Sequence, residues 1–185
     1  VFLNHCALRT SNAAYGCGMA PGGELAPQRQ LFEEMIYVLD GRGSTTVRND
    51  AGVKVTFEWK AGAIFAIPLN TSHQHFNASG KEPARFVSVT NAPAIINAFG
   101  DLDFVFNTKY DFRDRFSGEP DYFANKGEQK GLLLDIKFVA DAVNLPLIAA
   151  KERGAGGGHI RFNMAQGPRK SHTSPVPCGA HHDAR

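Results

Sequence analysis

The chain has 185 residues, 43% of them hydrophobic, which is enough for one folded domain with a core. Twenty basic residues stand against eighteen acidic ones, so a formal charge of +2 gives no electrostatic reason to expect a nucleic-acid partner. There is no apolar run of about 18 residues, which excludes a transmembrane helix, and the three cysteines are too widely spaced to indicate a zinc ribbon or a disulfide framework. We therefore expect a cytoplasmic protein that binds neither nucleic acid nor membrane.

The first ninety residues read as short alternating segments separated by turn signals. We predict strands at 5–9, 13–19, 32–39, 43–48, 53–59, 63–67, 72–77 and 84–90. The tetrapeptide Asn49-Asp50-Ala51-Gly52 indicates a hairpin turn, and Asn70 tolerates the left-handed backbone that a glycine would otherwise supply after Pro68. About eight short strands with turns between them predict an all-β jelly-roll β-barrel.

The second half of the chain has a different character. A short helix is predicted at 93–99, with proline in its first turn, and 125–131 has the polar composition of a linker. The apolar stretch 132–150 favours a strand and then a short helix ending near Pro146, and 159–164 alternates like a strand. We interpret the aromatic residues between 101 and 123 as cover for the barrel or as a subunit contact; the main ones are Phe104, Phe106, Tyr110, Phe112 and Phe116.

Two spaced patterns lie between Gly22 and Asn77. The first is Gly22, five residues, Gln28-Arg29-Gln30, three residues, Glu34, six residues, Gly41; the second is Gly62, five residues, Pro68, one residue, Asn70, two residues, His73, three residues, Asn77. Because strand side chains alternate, Glu34 shares a face with core residues while Glu33 points to the opposite face. The same alternation puts His73 and His75 on one face.

These patterns resemble the double motif of the cupin fold, in which side chains of both halves converge on a metal ion inside the barrel. The resemblance makes Glu34 and His73 the metal ligands and the candidate catalytic residues, and it puts Gln28 and Gln30 where two histidines usually stand. His75 is a further candidate ligand. An amide oxygen is a weaker donor than imidazole for first-row transition metals, so we predict that iron, manganese, nickel, copper or zinc is held weakly or not at all.

Longer runs narrow the resemblance to the N-terminal half of bacterial two-cupin proteins related to gentisate-type ring-cleaving dioxygenases. They cover 27–39, 56–59, 68–70, 73–77 and 90–93. The resemblance implies a dioxygenase-like oxidoreductase that acts on a small organic molecule, such as an aromatic one, and a homo-oligomer, for instance a dimer. It also implies a cupin barrel with its C-terminal cover at 1–125, followed at 126–185 by a linker and extended tail that lead into a second cupin.

Two other functions stay open beside this metal-dependent oxygenase. In the first, the barrel is a metal-free binding or structural half of a two-cupin protein. In the second, it is a cofactor-free isomerase in which Glu34 and His73 transfer protons. Each site residue also has a structural interpretation: His73 and His75 as hydrogen-bonded core histidines, and Gln28 and Gln30 as hydrogen-bonding wall residues. Burying Glu34 costs free energy unless His73 or an amide satisfies it.

Overall fold

The computed structural model describes residues 2–3, 11–130, 133–145, 148–149, 158–159 and 161–164. The strands are β1 (Phe2–Leu3), β2 (Ala13–Met19), β3 (Glu34–Asp40), β4 (Arg42–Arg48), β5 (Lys54–Lys60), β6 (Ile64–Ile67), β7 (Ser72–Asn77), β8 (Ala84–Thr90), β9 (Glu128–Lys130), β10 (Leu133–Asp135), β11 (Phe138–Val139), β12 (Ile148–Ala149), β13 (Gly158–His159) and β14 (Arg161–Asn163). The helices are α1 (Ala92–Phe99) and α2 (Leu102–Asn107).

Two antiparallel sheets form the barrel. One has the strand order β1-β2-β8-β3-β6-β11 and the other has the order β5-β4-β7. Inward residues of both sheets meet in an apolar core, to which β3, β5 and β8 contribute every second residue. The predicted all-β jelly-roll β-barrel is confirmed.

Most of the predicted strands are confirmed within a residue or two. Strands β2, β7 and β8 have the predicted bounds, and the hairpin of β4 and β5 turns at the predicted tetrapeptide. The predicted strand at 32–39 begins later, at Glu34, and the one predicted at 5–9 lies outside the described residues. Asn70 has a φ of 54°, so the left-handed turn before β7 forms as predicted.

The region after the barrel differs from the prediction in three places. Helix α2 was not predicted, although Asp101 caps it by accepting from the Phe104 N–H, because six residues are too few to show a helical period. The linker predicted at 125–131 contains β9. No helix forms in the described part of 132–150, so the helix predicted to end near Pro146 is wrong for residues 133–145.

The helix prediction failed because part of that stretch completes the barrel wall. Strand β11 pairs with β6, and Ile136, Val139 and Met164 pack with Ile64 and Ala66 in a second apolar cluster. Burial of this apolar surface stabilises an extended segment lying against the sheet more than it would stabilise an isolated helix. The barrel therefore includes residues well beyond position 125.

The aromatic residues of 101–123 divide between two environments. Phe116 and Phe123 are buried in the core, where Phe123 stacks on Phe57 at 3.9 Å between ring centroids. Cover of the barrel is therefore confirmed for Phe116. By contrast, Phe104, Phe106 and Tyr110 are exposed.

The homo-oligomer stays a prediction, and the exposed apolar surface of α1 and α2 is the surface that we expect it to bury. Helix α1 is apolar, yet none of its residues is buried, and Phe99 and Leu102 are each more than half exposed. We expect sedimentation velocity at micromolar concentration to show a species heavier than the monomer, and Leu102→Asp to shift it toward the monomer. A wild-type monomer at these concentrations would contradict the prediction.

The membrane prediction has a structural counterpart in the helices. Among the described residues, neither α1 nor α2 has the length and apolar character needed to cross a bilayer.

Candidate functional site

The carboxylate of Glu34 lies at the centre of a buried polar network inside the barrel. Glu34 is the first residue of β3 and is only 3% exposed, in phase with the core residues Ile36 and Val38. Its Oε1 accepts hydrogen bonds from the hydroxyl groups of Tyr15 and Ser88. Its Oε2 accepts from Nε2 of Gln30 at 2.7 Å. Three donors thus offset the cost of burying the carboxylate, and one of them is an amide, as the sequence had suggested.

His73 presents an unpartnered nitrogen to the same carboxylate. The residue is 1% exposed, and its Nδ1 donates to the backbone carbonyl of Thr71 at 3.2 Å. Its Nε2 is 3.7 Å from Glu34 Oε2, too far for a hydrogen bond, and has no other hydrogen-bond partner among the described residues. Burial lowers the pKa of His73, against the opposing effect of Glu34 and of the Thr71 carbonyl. The Nε2 of neutral His73 therefore carries a free lone pair.

The two glutamines have different environments. Gln30 is 5% exposed and donates to Glu34, so its side chain lies in the buried network. Gln28 forms a two-way backbone pair with His73, but Gln28 itself is exposed. Directly opposed residues of an antiparallel pair point to the same face. We therefore place Gln28 at the rim rather than in the buried network, which corrects the expectation that both glutamine side chains lie beside Glu34.

His75 is held in a separate chain of hydrogen bonds. The Oγ1 of Thr45 lies 2.8 Å from Nδ1 of His75 and accepts from Nε1 of Trp59, also at 2.8 Å. Because the indole can only donate, the Thr45 oxygen accepts from Trp59. The Thr45 hydroxyl then donates its proton to Nδ1 of His75. Burial, with a smaller effect of His73, lowers the pKa of His75 to about 3. His75 is therefore a neutral core histidine whose Nε2 carries the proton, so neither of its nitrogens offers a free lone pair to a metal ion.

The hydrogen bonds that join Trp59, Thr45 and His75 depend on a glycine. Gly43 is paired with Trp59, and a Cβ at position 43 would lie 2.2 Å from the Phe76 carbonyl oxygen and 2.4 Å from the indole ring. Only glycine lets the indole lie against the strand there and reach Thr45.

The depressed pKa of His75 predicts acid sensitivity. The folded protein resists protonating His75, whereas the unfolded chain takes up that proton near pH 6.5. Stability should therefore fall as the pH drops below about 6.5, by up to about 1.4 kcal/mol per pH unit, until His75 titrates in the fold near pH 3.

His75→Gln tests this dependence, because glutamine keeps an acceptor for Thr45 but does not titrate. Urea unfolding of chelator-treated protein between pH 7 and 4 should give a shallower pH dependence for the variant, by up to one proton. Equal slopes for the two proteins would contradict the prediction.

Sequence reasoning missed two members of the network. Tyr15 and Ser88 face each other across β2 and β8, next to β3, and only strand pairing reveals that they meet Glu34. A usable signal was present in β8, because Ser88 has the inward phase of Phe86 and Thr90 and is fully buried. A polar residue in the buried phase of a strand needs a partner.

The donor set decides how well a metal ion fits here. His73 Nε2 and Glu34 Oε2 are 3.7 Å apart. A metal–nitrogen bond and a metal–oxygen bond are each about 2.1 Å long, so one ion can reach both atoms. A ring fixed through Nδ1 by a carbonyl is the usual state of a ligating histidine. Catalytic metal sites normally have three protein ligands, however, and no group of three histidine, cysteine, aspartate or glutamate residues occurs in the described part of the chain. The residues fit a weakly held ion, with His73 and Glu34 as its two strong donors and the amide group of Gln30 bonded to Glu34 beside them.

Residues 17–90 match the family model described as the cupin domain, which supports placing this segment in the cupin superfamily. The match spans both motifs. No curated protein matches the chain.

Similar solved structures include oxalate decarboxylases. That of Lactobacillus farciminis in complex with formate is 27% identical, with a TM-score of 0.44, over 47% of this chain and 26% of that one. A Bacillus subtilis oxalate decarboxylase, studied for its Mn(II) centres, is 19% identical, with a TM-score of 0.42, over 46% of this chain and 22% of that one. The matched region spans about a quarter of the length of those proteins.

Proposed function

We propose that the barrel interior binds one divalent first-row transition metal ion weakly, at His73 and Glu34, beside the binding site of a small organic molecule. The observation that carries this proposal is the buried Nε2 of His73, which has no hydrogen-bond partner among the described residues and lies 3.7 Å from a carboxylate oxygen. A buried polar atom without a partner costs free energy, and a bound metal ion at Nε2 would supply the missing partner.

Each residue of the network has a defined part in such a site. His73 offers its Nε2 lone pair, and the Thr71 carbonyl fixes the orientation of the ring. Glu34 offers Oε2 and a negative charge, while Tyr15 and Ser88 hold its other oxygen in place. Gln30 donates to Glu34, so its amide oxygen is the neutral donor left over. When bound, iron or manganese supplies Lewis-acid chemistry and can activate dioxygen.

The oxygenase-like activity is the finer part of the proposal. It rests on the motifs that resemble ring-cleaving dioxygenases, and on an interior in which the rings of Phe86 and His73 lie 5.3 and 5.4 Å from that of His75. An aromatic substrate suits such walls, because aromatic pairs are favourable at these separations. Dioxygen uptake by iron-loaded protein with dihydroxybenzoates is the direct assay.

A second candidate is proton transfer without a cofactor. The same lone pair of neutral His73 is a proton acceptor, and Glu34 is close enough to stabilise the imidazolium that proton uptake would produce. Tyr15 and Ser88 hold Glu34 but need not take part in the chemistry. An isomerase of this kind needs no metal ion.

Metal content separates the two candidates. Untagged protein, purified without chelator, should contain up to one equivalent of iron, manganese, nickel, copper or zinc, and added metal should raise its melting temperature. His73→Gln should abolish both effects. The matched variant His75→Gln should keep them, because Nδ1 of His75 accepts from Thr45 and its Nε2 therefore carries the proton and cannot bind a metal. Wild-type protein that contains none of the five metals and is not stabilised by any would leave proton transfer or a metal-free binding role.

A further inference from the structure

Access to His73 poses a problem that the site itself does not solve. The side chain of His73 has no solvent-exposed area and that of Glu34 has 2%. An ion or an organic molecule reaches Nε2 of His73 only if some part of the structure moves aside. The segment most suited to move should contact both site motifs and contribute little buried surface.

Residues 102–110, which comprise α2 and the three residues after it, meet the first requirement; we name them the cover segment. The backbone N–H of Leu31 donates to the carbonyl of Val105 at 2.9 Å. The rings of Phe32 and Phe106 make an edge-to-face contact at 5.7 Å between centroids. Both contacts join the cover segment to the strip between Gln30 and Glu34.

Asn70 joins the cover segment to the second motif. Its side-chain Nδ2 donates to the carbonyls of Thr108 at 3.2 Å and Tyr110 at 2.7 Å, while its backbone N–H donates to the carbonyl of Gln30 at 3.0 Å. The residue stands three positions before His73. One asparagine therefore connects the cover segment with the strip between Gln30 and Glu34 and with the turn that precedes His73.

The cover segment also has little apolar burial to hold it. Val105 is the one buried residue of α2, and Leu102, Phe104 and Phe106 are exposed. Segments with few buried contacts open at a lower free energy than the core does. The hydrogen bonds from Asn70 are therefore a large share of what keeps this segment closed.

We propose that the cover segment is a gate to His73 and that Asn70 is its latch. With the gate closed, the buried network is sealed. Opening breaks the two Asn70 side-chain bonds, the Arg29–Tyr110 bond and the Leu31–Val105 bond, and it exposes the strip that carries Gln30. The proposal applies whether the group that enters is a metal ion or a small organic molecule.

Asn70→Gly is the sharpest test, because position 70 has a φ of 54° and glycine keeps that backbone while removing both latch bonds. Diethyl pyrocarbonate is a probe of access, since it transfers its ethoxycarbonyl group to a neutral imidazole nitrogen and releases carbon dioxide and ethanol. The reaction of His73, followed by peptide mass spectrometry in the presence of chelator, should become about tenfold faster or more in the variant. Deuterium exchange at the Leu31 amide should rise with it.

Asn49→Ala is the matched control, because Asn49 makes a similar amide bond to the carbonyl of Ser117, in another part of the chain. It should leave the His73 reaction rate unchanged. If Asn70→Gly fails to fold, Arg29→Met replaces it, since Arg29 donates to the same Tyr110 carbonyl. A folded latch variant in which His73 reacts at the wild-type rate would overturn the gate, and so would an equal acceleration by Asn49→Ala. No metal is present in this experiment, so its outcome is independent of whether the site binds one.

Discussion

Replacing Gln30 by histidine is expected to raise the affinity for nickel or zinc about 100-fold. Gln30 already touches Glu34 from inside the barrel, so an imidazole there adds a third strong ligand to His73 and Glu34. Four-ligand structural zinc sites bind with about 10–16 kcal/mol, so one ligand contributes about 2.5–4 kcal/mol. The new ring lacks a partner that would orient it, which places the expected gain at the low end.

Gln28→His is the control for this change, because Gln28 is exposed at the rim. We expect it to add little alone, although the motif spacing treats the two glutamines alike. Titration calorimetry and the melting temperature with added nickel compare the two variants. A folded Gln30→His protein that binds no more metal than Gln28→His would mean that position 30 does not face the ion.

Glu34→Gln is expected to reduce metal binding to background while leaving the protein folded. The amide oxygen of glutamine can still accept from Tyr15 and Ser88, but the charge that attracts a cation is gone. Removing a buried charge without removing its volume is often neutral or stabilising, so the melting temperature should stay equal or rise. Glu34→Ala should instead cost about 3–5 kcal/mol, because it leaves three buried donors without their acceptor.

Glu33→Gln provides the control next to it in sequence. Glu33 precedes β3 and its backbone N–H, not its carboxylate, is held by Asn91. Metal content and stability should match wild type. Equal losses in the Glu33 and Glu34 variants would show that the carboxylate inside the barrel had been misidentified.

The sequence predicted those features that depend on spacing along one strand or turn. Alternation was enough to place Glu34 and His73 inside the barrel, and the left-handed preference of asparagine was enough to place the turn at Asn70. Features that depend on how distant strands pair were not accessible. Tyr15 and Ser88 meet Glu34 only because β2, β8 and β3 are neighbours in the sheet.

The error at Gln28 has a related cause. Period two puts Gln28 and Gln30 on one face of an extended segment, but it does not reveal where along that face the barrel opens to solvent. The exposure of one and the burial of the other are set by residues far away in sequence. A motif therefore predicts on which face of the strand a side chain lies better than it predicts how deeply that side chain is buried.

The bond between Trp59 and Thr45 gives this protein a built-in optical reporter. Trp59 is the single tryptophan of the chain and is 4% exposed. Its indole N–H shares the Thr45 hydroxyl with His75, whose ring makes an edge contact with that of His73. Indole emission responds to the polarity and hydrogen bonding of its surroundings, and paramagnetic ions quench it. Intrinsic fluorescence therefore follows the state of the interior without any label, and unfolding and ion entry are distinguished by a red shift in the first case and a loss of intensity in the second.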